Sequence, residues 1–185
     1  MNNLRKIFTI VLLILFMSIN PFASLAKDGF DLTSDSFLKR LSFAAARVPY
    51  GLSSDQIKQD IKISKSGDII LAYNTGLMLL VNQDNHSHNI KNIAVTFFYN
   101  DPEPDEKDIY HVSQNNETVF RNICMQVIFA LHPSMKTAQA KEILNEIGIE
   151  GTIFDGLQRS KVVDNHLYIA RLQPNGVAIM LVLHN

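Results

Sequence analysis

Residues 69–83 read IILAYNTGLMLLVNQ. Two apolar runs, Ile69 to Tyr73 and Leu77 to Val81, flank the polar break Asn74-Thr75-Gly76. Each run has the length of a strand, not of a helix, and turn residues bound it. Gly76 suits a hairpin connection, because glycine adopts positive φ without steric cost. Neither run alternates apolar with polar. A half-exposed strand alternates, whereas a strand covered on both faces reads as a continuous apolar run. The stretch therefore predicts two adjacent strands deep inside an antiparallel sheet.

The pattern extends on both sides. Ahead of it, SSDQIKQDIKIS is a helical turn capped by Ser53 or Ser54 that leads into a strand near Asp60 to Ser64, and KSGD turns the chain. After it, NQDNHSHN is a turn. Ile93, Val95, Phe97 and Tyr99 then alternate with Ala94, Thr96 and Phe98 as a strand does. The first half thus contains a meander of three or four strands. Before the meander, Thr33 or Ser34 caps a helix with Phe37, Leu41, Ala44, Ala45 and Val48 at helical spacing, and Pro49 and Gly51 end it.

The second half opens with helices. Val119, Phe120, Ile123, Cys124, Val127, Ile128 and Leu131 form a wide apolar stripe that Pro133 stops. Ala140, Ile143, Leu144 and Ile147 mark a second helix with Gly148 as its C-cap. Strands are expected near Thr152 to Phe154, extending toward Val163, then over Leu167 to Leu172 and Val177 to Leu183. Asp164-Asn165 and Pro174-Asn175-Gly176 are the turns between the later ones. The order is α-β-β-β-α-α-β-β-β. Grouped rather than alternating elements predict an α+β fold, an antiparallel sheet with helices packed on one face. Two αβ₃ halves side by side, or one continuous sheet of six strands, both satisfy this order.

The front of the chain has a different character. Arg5 and Lys6 precede the apolar run Ile7 to Phe16, interrupted only by Thr9. Asn20 and Pro21 follow, and Ser24 and Ala26 stand at −3 and −1 of a small-residue cleavage site. This is the layout of a secretory signal peptide, cut between Ala26 and Lys27. The run is shorter than the ~20 residues that span a bilayer, so no stable transmembrane segment is expected after cleavage. Residues 1–26 form the leader and 27–185 a single α+β domain, exported to the periplasm or the cell exterior.

The leader holds two of the seventeen Lys and Arg and none of the eighteen Asp and Glu, which leaves the mature part at net charge −3. That balance argues against nucleic acid and against an anionic membrane surface. One cysteine, Cys124, forbids an intramolecular disulfide, and its place in the apolar stripe makes it a core residue.

The spacing and residue types of LAYNTGLMLLVNQ, IAVTFFY, ALHPSM, ILNEIGI and NHLYIARLQPNGVAIMLV resemble small exported bacterial proteins of uncharacterised function. The resemblance covers nearly the whole mature chain and implies a leader plus one α+β domain. It implies no activity and no site residues.

Candidate chemistry is sparse. His86-Ser87-His88 places two imidazoles at i, i+2, where both reach one divalent metal ion if Asp84 or His111 completes the set. The thiolate pairs of structural zinc sites are absent from the sequence, and a polar turn that contains two histidines is the plainer reading. Asp101, Glu103, Asp105, Glu106 and Asp108 offer hard oxygens for calcium, but the interleaved prolines and the missing glycine favour a solvated loop. There is no G-x-S-x-G, no H-E-x-x-H and no glycine-rich phosphate cradle. His132 reads as a cation at a helix end, and His166 and His184 read as surface residues. Tyr73, Phe97, Phe98, Tyr99 and Tyr110 read as core, with a lined groove as the alternative. No cofactor is predicted. The expectation is a non-catalytic exported module for an envelope or extracellular protein or a small apolar ligand. The alternative is a metal-binding protein or enzyme that uses His86, His88 and His111.

Overall fold

The computed structural model describes residues 29–74, 76–98, 109–150, 157–173 and 177–185. The quoted hairpin becomes β2 (Ile69–Asn74) and β3 (Leu77–Gln83), near one side of a seven-stranded antiparallel sheet. The other strands are β1 (Ile61–Ile63), β4 (Ile90–Phe98), β5 (Arg159–Val163), β6 (His166–Gln173) and β7 (Val177–His184). Their spatial order is β1-β2-β3-β4-β7-β6-β5. Two meanders therefore meet at β4 and β7, where Asn92 to Phe98 pair Leu183 to Val177.

The helices are α1 (Ser34–Arg47), α2 (Ser54–Gln59), α3 (Ile109–Leu131) and α4 (Thr137–Glu146). The α+β class holds, and the helical turn and strand expected in SSDQIKQDIKIS appear as the short helix α2 and the edge strand β1. The sheet is continuous. The expected strand around Thr152 to Phe154 and the Pro174-Asn175-Gly176 turn lie outside the described residues, as do the leader and the acidic loop. No described helix is long and apolar enough to cross a membrane.

Local chemistry explains the helix boundaries. Thr33 caps α1, its hydroxyl accepting from the Ser36 N–H at 3.3 Å. Ser53 caps α2 in a reciprocal box with Gln56. Gly148 ends α4 at φ +80°, a conformation that a side chain resists, and a Cβ there would stand 2.8 Å from Arg159 Nη1. The sheet edges are blunted. β1 has three residues, and on β5 Lys161 pairs with Glu146 of α4 at 2.6 Å.

All four helices contribute to one core, on the sheet face that carries Leu77, Leu79, Ile93, Val95, Phe97, Met180 and Val182. Cys124 is fully buried in it, and burial raises its thiol pKa well above the ordinary range. The opposite face is apolar too. Met78 and Leu80 of β3, Ala94 of β4, Ile169 of β6, and Ile179 and Leu181 of β7 belong to a second cluster, 2–5% exposed, that includes no described helix residue. The continuous runs read from the sequence are thus buried on both faces, with the described helices on only one.

A buried amide organises the helix layer. Gln126 of α3 is fully buried; its Oε1 accepts from Leu52 N–H at 3.0 Å, and its Nε2 donates to Val48 O and Leu52 O, both at 3.0 Å. Asn122, one turn earlier, donates to Tyr50 O at 3.1 Å. The α1–α2 link belongs to no helix or strand, and these side chains satisfy backbone groups of it. Gln126→Leu keeps the volume but leaves three backbone groups unpaired. It is expected to destabilise the protein by about 2–4 kcal/mol, read as a lower urea midpoint at unchanged slope.

Candidate functional site

The β3–β4 turn that carries His86 and His88 is organised by Asp84. The Asp84 Oδ1 accepts from the His86 and Ser87 N–H groups at 2.9 and 3.0 Å, and Oδ2 pairs with Lys91 at 3.2 Å. Those backbone donors, chiefly Ser87, hold its carboxyl pKa well below the usual range. His88 adopts φ +57°, and its carbonyl accepts from Ser34 N–H, the first residue of α1. The turn thus fastens the start of α1 to the sheet, with His86 and His88 exposed. His111 lies in α3, its side chain outside the described residues. Among the described residues no group of three or more His, Cys, Asp or Glu side chains could hold a metal ion.

The histidines read as cap and surface come together elsewhere. Strand pairing sets His166 opposite His184, and Tyr168 shares their face two residues along β6. The end of α3 delivers His132 to the same place. Its Nδ1 lies 3.1 Å from Asp164 Oδ2 and its Nε2 lies 2.9 Å from the Tyr168 hydroxyl. One arrangement satisfies both contacts with a neutral ring: Nδ1–H donates to the carboxylate and Nε2 accepts from the phenol. The rings of His132 and His166 stand 4.9 Å apart, edge to face. Phe30 closes the group, 5.1 Å from His166 and 6.1 Å from His184.

These positions correct three sequence expectations. His132 is 8% exposed and binds side chains, so it is not a solvated cation over the helix end. His166 and His184 are partly buried, and the Nδ1 atom of each is buried without a hydrogen-bond partner. Burial pushes the His132 pKa down, opposed by Asp164. Burial, then the neighbouring His132 and His184, push His166 down to about 4. Burial also holds the Tyr168 phenol far above its ordinary range.

The Asp164–His132–Tyr168 chain has the order of a proton relay, but its terminal hydroxyl is 0% exposed and cannot meet a substrate. An indentation lined by Ile147, Ile149, Leu157, Arg159 and Arg171 shares no residue with it. The network therefore joins three segments: the end of α3, the β5–β6 turn and the end of the sheet. The aromatic groove also dissolves. Phe97 belongs to the helix-covered face and Phe98 packs against the opposite one. Tyr73 packs against the core, Tyr99 lies outside the described residues, and so does the Tyr110 side chain.

The cluster gives the fold an acid limit. His166 titrates lower folded than unfolded, so its contribution is fully present above its unfolded pKa of ~6.5 and is lost as pH falls from there toward 4. The expected loss is on the order of 2–3 kcal/mol. Urea unfolding of wild type and His166→Leu at pH 7.5 and 4.5 checks it, with the variant expected to show the smaller drop. Comparison with known protein families, with curated proteins and with solved structures finds no match for this chain, so its functional reading rests on its own residues.

Proposed function

We propose that the chain is exported, cut between Ala26 and Lys27, and then acts as a non-catalytic binding module whose contact surface is the second face of its sheet. The carrying observation is that, among the described residues, this face is apolar across β3, β4, β6 and β7 while every helix residue of the core belongs to the other face. A solvated sheet face alternates to polar residues, and contiguous apolar patches mark sites of interaction. The mature charge of −3 and the uncharged cluster favour an apolar protein surface or small apolar ligand over an anionic polymer.

The full chain, expressed in an exporting bacterium and recovered from the periplasm, tests this. Mass spectrometry is expected to show a start at Lys27; an intact Met1 would refute the reading. At submicromolar protein, an apolar fluorescent dye is expected to brighten severalfold on the processed chain, and Ile179→Asp is expected to remove at least half of that gain. A processed chain silent toward the dye would remove the sheet face from consideration.

A further inference from the structure

Helix α1 buries Phe37, Leu41 and Ala44 against the core. Its outer face is also built around an apolar residue, Phe43, which is 77% exposed. Side chains three and four residues away are neighbours on a helix surface. For Phe43 these are Lys39 and Arg40 before it and Ala46 and Arg47 after it, all exposed. No ion pair among the described residues involves Lys39 or Arg40. Arg47 donates to Pro133 O and Met135 O, which brings the exposed Lys136 to the same flank. From Ser36 to Gly51 the chain holds three Lys and Arg and no Asp or Glu. The net negative charge of the mature part therefore resides elsewhere. A surface beside α1 feels the local sign, because ionic screening acts over ~8–10 Å.

A second exposed aromatic stands just past the helix. Tyr50 is 80% exposed and sits at φ +60°, a backbone conformation that is costly for a large side chain. Buried amides hold it there. Asn122 donates to Tyr50 O, and Gln126 bonds Val48 and Leu52 on either side. An aromatic kept in solvent at that cost points to a contact outside the chain.

We infer that the processed chain rests on an anionic lipid surface through the outer face of α1, with Phe43 set among the headgroups and Lys39, Arg40 and Arg47 against the phosphates. The inference is independent of the sheet face proposed above and shares with it only the processed chain. The shape of the face favours lipid over an acidic protein. An exposed ring in a protein contact needs a shaped pocket on the partner, whereas the headgroup boundary receives aromatic rings without one. The indentation noted above lies on other elements and gives α1 no concave neighbour for a partner's side chain. Lys and Arg reach phosphates while their aliphatic stems stay level with the ring. Each cation near an anionic surface adds about fivefold to partitioning, so three add about 100-fold. With no acyl anchor the attachment is reversible.

Cosedimentation of the processed periplasmic protein with vesicles tests this. Binding is expected on vesicles of equal parts phosphatidylglycerol and phosphatidylcholine, and about 100-fold weaker binding on phosphatidylcholine alone. Phe43→Ser is expected to weaken binding about tenfold, and Lys39→Gln with Arg40→Gln about 25-fold. These side chains are exposed, so circular dichroism and the urea midpoint are expected to stay unchanged. The sequence has no tryptophan, and Phe43→Trp therefore installs a single reporter. Its emission is expected to shift to the blue on the anionic vesicles. Ile63 on the edge strand β1 is 71% exposed, and Ile63→Trp is expected to show no shift. A protein that ignores anionic vesicles overturns the inference. So does binding that either set of substitutions leaves unchanged, or a shift for Ile63→Trp equal to that for Phe43→Trp. Polyglutamate that binds the chain while vesicles do not would assign the face to an acidic protein and overturn the lipid surface.

Discussion

The pairing of β4 with β7 is the constraint from which the rest follows. Ile93 sits opposite Val182 and Val95 opposite Met180, one strand drawn from each half of the chain. Without that contact the protein would be two separate meanders with exposed inner edges. With it there is one sheet whose centre is its most apolar part. Because successive side chains on a strand point to opposite faces, the same register places Val95 and Met180 beneath α3 and Ala94 and Leu181 on the other side. A slip of one residue would exchange those faces.

Polar groups join the helices to one another and tie α3 to the sheet. Gln126 and Asn122 hold the α1–α2 link from the side of α3. Arg47, at the end of α1, donates to Pro133 O at 2.9 Å and to Met135 O at 2.8 Å, with its guanidinium 3.8 Å over the Phe129 ring. Beside that contact, His132 ties the end of α3 to the β5–β6 turn and to Tyr168. Buried polar groups cost free energy unless they are matched, and here each match joins segments distant in sequence. They specify which helix end meets which strand end, something apolar packing alone leaves loosely determined.

What was legible in the sequence was periodic or local. The two apolar runs around Asn74-Thr75-Gly76, the caps at Thr33 and Ser53, the stop at Pro133 and the C-cap at Gly148 each depend on neighbours within a few residues, and each is found in place. The short α2 and β1 were read only as an ambiguous turn and strand, since three residues of strand carry too little pattern to separate from a loop. The histidine cluster was missed for a different reason. His132 looks like a helix-end cation and His166 and His184 like surface residues when each is taken with its own neighbours. Only the β6–β7 register and the exit direction of α3 bring them together, and no single segment encodes that. The HSH tripeptide drew attention because its spacing is local, yet the carboxylate beside it is engaged by backbone donors.

One signal in the sequence pointed further than the helices do. LMLLV and VAIMLVL do not alternate, and they lie on β3 and β7, two strands at the heart of the sheet. If the helix layer were the only cover, natural patterning would have placed polar residues at Met78, Leu80, Ile179 and Leu181, which face away from it. Apolar residues there bring no gain to packing against α1 or α3, although they are 2–5% exposed. The departure from alternation is confined to the face opposite the described helices, and under the proposed function that face is the one that meets an apolar partner.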